Sequence, residues 1–157
     1  MIQTGDPNSK SAKAGQPLGN GGPGYTVPAE FRTTMFHKRG VIAAARMSDN
    51  VNPQKASSGS QFYIVQGKTF TDAGLDSTEI FRLNGRKIPA DQRAVYKTIG
   101  GTPHLDQGYT VFGEVVKGIE VVDKIAGVQT SKAQDRDRPI QDVKITKTKL
   151  IKKKKRL

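Results

Sequence analysis

The chain is 157 residues long, enough for one domain with a real core, and it carries 26 basic against 14 acidic residues, a net charge of +12. It has no cysteine, which excludes disulfides and thiolate chemistry, and with only His37 and His104 a metal site lacks ligands at a supporting spacing. No apolar run approaches the ~20 residues of a membrane-spanning helix.

Met1-Ile2-Gln3 reads as the end of a buried strand, and Thr4-Gly5-Asp6-Pro7-Asn8 as a turn, because Gly, Asp, Asn and Pro each favour turn geometry. Residues 7–28, "PNSKSAKAGQPLGNGGPGYTVP", are loop. Their "GNGGPG" is no phosphate cradle, since no helix follows to supply a dipole and no Lys-Ser/Thr pair closes it. "GVIAAAR" and "SQFYIVQ" are predicted strands on either side of the polar loop "MSDNVNPQKASSG". In the second strand Gln61 and Tyr63 point one way, Phe62 and Ile64 the other. Phe62 and Ile64, with Val111 and Phe112, are assigned to the core. By alternation alone Gln61 is an exposed strand glutamine, Tyr63 an outward-facing aromatic, and His104 a surface or helix-end histidine.

Residues 68–103 change character. Leu75, Ile80 and Leu83 stand at approximate helical spacing in "TDAGLDSTEIFRL", stopped by Asn84-Gly85. "IPADQRAVYKTIGG" begins a second helix near Pro89 and closes it at Gly100-Gly101. "YTVFGEV" follows as strand and "GIEVVDKIA" as helix, with Ile119, Val122, Ile125 and Ala126 on one face. "QDVKITKTKLI" alternates at Val143 and Ile145 and predicts a final strand. The chain ends in "KKKKRL", a block that stays solvated. It could meet phosphates, anionic lipid or ribosomal RNA, but no aromatic residues interleave with it, so base stacking has no platform and nucleic acid is the weaker reading.

At "SSGSQFYIVQG" and "LDQGYTVFGEVVKGIEVVDKIA", with "MIQTGDP" ahead of them, the chain resembles the cyclophilins, peptidyl-prolyl cis–trans isomerases, in a bacterial-like form. The resemblance covers nearly the whole chain outside the 68–103 insertion. It implies a mainly β fold: a cyclophilin-like antiparallel β-barrel with flanking helices and a two-helix insertion, over residues 1–151, followed by a basic tail at 152–157. "MIQTGDP" matches the second half of a family segment, with Thr4 in place of the first of two glycines. The family's first strands, first helix and active-site Arg are therefore expected upstream of Met1. On that expectation the barrel is N-terminally incomplete, and residues 1–157 alone would be weakly stable and isomerise poorly.

The resemblance further implies a site. Met1, Tyr63 and Leu105 would line a proline pocket, Gln3 and Gln61 would hydrogen-bond the substrate backbone, and Ala45 and Arg46 would offer main-chain groups along the groove. Tyr109, often His in the family, would sit at the pocket edge, and His104 stands where many members have Trp. Gln61, Tyr63 and Tyr109 are the candidate catalytic residues; Met1, Gln3, Ala45, Arg46, His104 and Leu105 the candidate substrate-binding ones. No cofactor or metal is called for. The expected partners are Pro-containing polypeptides, with cyclosporin-type ligands as a further class, in a bacterial periplasm or cytoplasm. Two rivals accompany this reading: a non-catalytic module binding Pro segments, and a basic RNA- or ribosome-associated protein.

Overall fold

Short apolar segments between turn-formers give strands here, and each is only two to four residues long. The computed structural model describes residues 1–131 and 137–152. In chain order these form β1 (Ile2–Thr4), a 3-10 turn (Pro7–Lys10), β2 (Thr26–Val27), β3 (Val41–Ala44), β4 (Ser57–Ser58) and β5 (Phe62–Ile64). Helices α1 (Asp72–Phe81) and α2 (Ala90–Thr98) follow, then a second 3-10 turn (Pro103–Leu105), β6 (Val111–Glu114) and α3 (Ile119–Ala126). The main sheet is antiparallel and open, in the order β1-β5-β3-β6, and β2 pairs with β4 beside it. Among the described residues no helix is long and apolar enough to cross a membrane.

Directly opposed residues in an antiparallel pair share a face. Gln3 faces Tyr63, Tyr63 faces Ala43, and Ala43 faces Val111. That face is the core: Val41, Ala43, Ala45, Tyr63 and Val65 are buried, with Leu105, Tyr109 and Val111 packed against them. The expectation that Phe62, Ile64 and Phe112 form the core is therefore corrected. Phe62 and Ile64 are half-buried on the opposite face, and Phe112 is 61% exposed, its ring meeting Phe62 edge to face at 6.2 Å. Val111 is half-buried and does pack on the core. The readings of Gln61 as exposed and of Tyr63 as outward-facing fall with it, since both are buried. Alternation says which residues share a face; which face is covered depends on the segments at His37 and Leu105–Tyr109, which lie over Tyr63.

Residues 68–103 hold two helices, as their sequence predicts. Thr71 caps α1, its hydroxyl accepting from the Gly74 amide, and Pro89 precedes α2. Leu75, Ile88 and Tyr96 form a second buried cluster, joined by Phe36, Phe70 and Leu83. Ile80 does not belong to it, being 59% exposed; the helix turns Glu79 inward instead, and Lys87, Arg93 and the Ile88 amide satisfy its carboxylate. The insertion returns to the sheet at Gly101, bridged to Lys38 and Lys68. A side chain there is excluded, because a Cβ would fall 2.2 Å from the His37 carbonyl oxygen and 2.6 Å from the Tyr96 ring.

Helix α3 buries Val122, with Ile119, Ile125 and Ala126 half-buried, and packs on β1. Arg39, leaving the sheet, donates to Asp123 on this helix and to the Gln66 carbonyl. The strand predicted within 141–151 is absent: those residues run exposed, Val143 at 48% and Ile145 at 63%. A strand exists only by pairing, and the alternating lysines keep this segment in water. Of the basic tail, Lys152 is exposed and residues 153–157 lie outside the described residues.

Candidate active site

The sheet's buried face opens at its β1 end, where two glutamines meet. Gln3 Nε2 donates to Gln61 Oε1 at 3.0 Å, and Gln61 Nε2 donates to the Gly21 carbonyl at 2.6 Å. The amides are thereby oriented, yet each keeps spare hydrogen-bonding capacity: one N–H on each nitrogen and an acceptor lone pair on each oxygen. The loop supplying Gly21 is itself pinned by Asp6, whose carboxylate accepts from the amides of Asn8, Gly19 and Gly21. Burial alone would raise the Asp6 pKa, but those backbone donors outweigh it and hold the carboxyl below its usual range. Asp6 thus lets an otherwise featureless Gly-rich loop reach a side chain forty residues away.

Beside the amides stands an aromatic wall. Tyr63 and Tyr109 meet edge to face at 5.7 Å, and Leu105 packs on the same cluster. The Arg46 guanidinium lies 4.6 Å above the Tyr109 ring and is fixed there by Nε donating to the Gly108 carbonyl at 2.7 Å and Nη1 to Asp49. Its charge is committed to holding the 108–109 turn. Ala45 spends its amide on the Gln61 carbonyl and its carbonyl on the Ser58 amide, whereas the Arg46 main chain has no partner among the described residues. His104 sits half-buried on the 3-10 turn next to Leu105; burial first, and the nearby Arg82 charge second, lower its pKa, so the ring is neutral at pH 7. Met1 lies just outside β1, at the rim, and is 49% exposed.

The structure therefore brings Gln3 and Gln61 together, and Tyr63, Leu105, Tyr109 and Arg46 together, with His104 and Met1 on the margins. Sequence reasoning missed His37 and Asp106, which lie behind the wall and bond to the Tyr63 hydroxyl and to each other. Asp106 was within reach, since it stands inside the "LDQGY" stretch; His37 offered no pattern. Among the described residues no group of three or more His, Asp or Glu could hold a metal ion.

The description "Cyclophilin type peptidyl-prolyl cis-trans isomerase/CLD" is that of the family whose model matches residues 1–150. This chain belongs to that family. A Streptococcus pyogenes protein named as a bifunctional phosphatase/peptidyl-prolyl cis-trans isomerase is 37% identical over 145 residues, covering 91% of this chain and 27% of that protein. Peptidyl-prolyl cis-trans isomerases so named from Staphylococcus haemolyticus and Staphylococcus aureus are 31% and 32% identical over 145 residues, covering 92% of this chain and 64% of each relative. The chain thus spans under two thirds of the length of these curated relatives.

Proposed function

We propose that this cyclophilin-type chain binds Pro-containing polypeptides along the Gln3–Gln61 edge and accelerates cis–trans rotation of the X–Pro bond. The chemistry asks little in the way of reactive groups. Amide resonance opposes rotation by ~18–20 kcal/mol, and lowering that barrier requires no nucleophile, metal or cofactor. It requires a wall that holds the proline ring, and dipoles that favour the twisted amide over the planar one. Tyr63, Leu105 and Tyr109 are suited to the first task, with Met1 and His104 at the rim. Gln61, Gln3 and the free main-chain groups of Arg46 are suited to the second. Neutral His104 adds an uncharged face to this rim.

The observation that carries the reading is the oriented glutamine pair. Because Gly21 and Gln3 already restrain Gln61, its spare N–H and lone pair are aimed without further ordering when a peptide arrives. Gln61→Ala should lower the isomerisation rate of an X–Pro peptide, followed by exchange NMR, about ten- to hundredfold while changing peptide affinity less. Equal losses in rate and affinity would leave a binding module rather than a catalyst. Cyclosporin-type cyclic peptides would compete for the same wall, so displacement of a bound Pro peptide tests that class. An RNA-associated role rests on the basic tail, and salt-sensitive RNA binding lost on removing residues 152–157 would be its signature.

A further inference from the structure

Tyr63 is an odd residue for an apolar wall, because its ring carries a hydroxyl. That hydroxyl does not reach the groove. It points inward to His37, a side chain with no solvent exposure, and lies 2.9 Å from Nε2. The two rings lie nearly parallel, at 17° with their centroids 6.0 Å apart, so the hydroxyl reaches Nε2 from an offset, stacked ring. On its other side His37 Nδ1 lies 3.0 Å from Asp106 Oδ1, and the His37 backbone amide donates to the same oxygen at 2.8 Å. The second carboxylate oxygen accepts from the Tyr96 hydroxyl at 2.7 Å. Asp106 accepts from the His37 amide and the Tyr96 hydroxyl, so Oδ1 is placed to accept from Nδ1–H as well, and in the tautomer with the proton on Nδ1 the other nitrogen, Nε2, accepts from Tyr63. Burial first, and then the nearby Tyr109 and Asp106, keep the phenol proton on Tyr63, so the hydroxyl has a proton to donate to Nε2.

The four residues span the molecule's two cores. Tyr63 belongs to the sheet cluster and Tyr96, on α2, to the insertion cluster; His37 and Asp106 are the polar seam between them. Arg86, in the insertion's inter-helix turn, also grips this seam by donating to the Asp106 carbonyl at 2.8 Å.

We propose that His37, Asp106 and Tyr96 are positioning residues for the substrate groove. The chain of hydrogen bonds draws the Tyr63 hydroxyl inward, fixes the ring as an apolar wall, and makes that wall's setting depend on the α1–α2 insertion. The proposal rests on the isomerase reading above. Tyr96 lies outside the wall and its hydroxyl donates to Asp106, yet its removal should be felt there. Without it Asp106 loses a donor, His37 loses its fixed orientation, and the Tyr63 hydroxyl is free to seek a partner in the groove.

The test is a double-mutant cycle between Tyr96→Phe and Tyr63→Phe, both of which keep the ring and the packing. Tyr96→Phe should lower kcat about three- to tenfold, the effect of losing a hydrogen bond of ordinary strength, with KM little changed. Tyr63→Phe sets its own rate, and on that background Tyr96→Phe should change nothing further. Nitrogen NMR of His37 gives a readout independent of turnover. The parent should show Nδ1 protonated and Nε2 unprotonated, and each single variant should shift the Nε2 signal. Additive losses in the cycle, or a His37 with Nε2 protonated in the parent, would overturn the proposal. So would a silent Tyr96→Phe alongside a slow Gln61→Ala. If Gln61→Ala and Tyr63→Ala are both silent, the groove reading falls and the claim on turnover with it, while the nitrogen signals still decide whether the buried chain exists.

Discussion

Glu79 is the carboxylate on which the insertion closes, and removing it should loosen both helices. Its side chain is 2% exposed and accepts from Lys87 Nζ at 2.8 Å, from the Ile88 amide at 3.0 Å and from Arg93 Nη1 at 2.8 Å. The three losses in Glu79→Ala are unequal. Lys87 is 79% exposed and returns to water at a cost near zero. Arg93 keeps Asp72 and Asp76 as partners. The Ile88 amide is left buried without an acceptor, which costs about 1–3 kcal/mol, and the one methylene lost from the buried side chain adds about 1 kcal/mol. Glu79→Ala should therefore destabilise by about 2–4 kcal/mol, a fall in Tm on the order of 10 °C for a domain of this size. Glu79→Gln keeps an acceptor for Ile88 and should cost less. The same clamp has a pH signature. Lys87 first, then the Ile88 amide and Arg93, hold the Glu79 pKa at about 2 against an ordinary 4.5. Since the folded form binds its proton more weakly than the unfolded form, the stabilisation is complete above about pH 4.5 and is lost as pH falls towards 2. Denaturant unfolding of the parent and Glu79→Gln should thus diverge at pH 7 and converge as pH falls to about 2. Equal stability of the two at pH 7, or a gap that widens on acidification, would refute the argument.

Gly5→Ala should cost at least ~2 kcal/mol in a urea titration and lower peptide affinity with it. The residue has φ +91, and a Cβ would stand 2.1 Å from the Ser60 carbonyl oxygen and 2.9 Å from the Gln61 Cα, so the end of β1 must move away from the backbone at Gln61. Arg46→Lys should cost about 1–3 kcal/mol in the same titration and broaden the Tyr109 ring signals in NMR. A lysine keeps the charge but cannot lie over the ring and donate to Gly108 and Asp49 at once.

Elements written in local chemistry are legible in the residues themselves. Pro89 and Gly100 bracket α2 because one fixes φ without needing a donor and the other accepts φ +87, where its own Cβ would collide with Lys68. The amphipathic face of α3 is legible for the same reason, as Val122 and its neighbours repeat at helical spacing. The glutamine pair is reached through resemblance, since nothing in alternation marks Gln61 as different from any strand glutamine. What stays hidden depends on contacts distant in sequence. His37 and Asp106 are sixty-nine residues apart, and a buried polar seam has no periodicity to betray it. Glu79 takes the inward place that spacing gives to Ile80 because two basic residues and an amide converge there. The 141–151 segment alternates correctly but finds no strand to pair with.

The mistaken assignment of the core face yields a direct comparison. Alternation in β5 gives two sets, and the bulkier apolar one, Phe62 with Phe112, has the larger hydrophobic gain on offer. The structure covers the other set, because His37 and the 105–109 segment close over Tyr63. If that is right, Tyr63→Ala should be the costly truncation. It removes a 2% exposed aromatic, opens a cavity in the sheet cluster and strands His37 Nε2 without its donor, for about 3–5 kcal/mol. Phe112→Ala should be cheap, under about 1 kcal/mol, since 61% of that residue already faces water and its ring meets Phe62 edge on at 6.2 Å. Urea unfolding of both variants at one pH decides it. Losses in the reverse order would mean that the Phe62–Phe112 face is the one buried in solution, and the groove built on Tyr63 would then need a different wall.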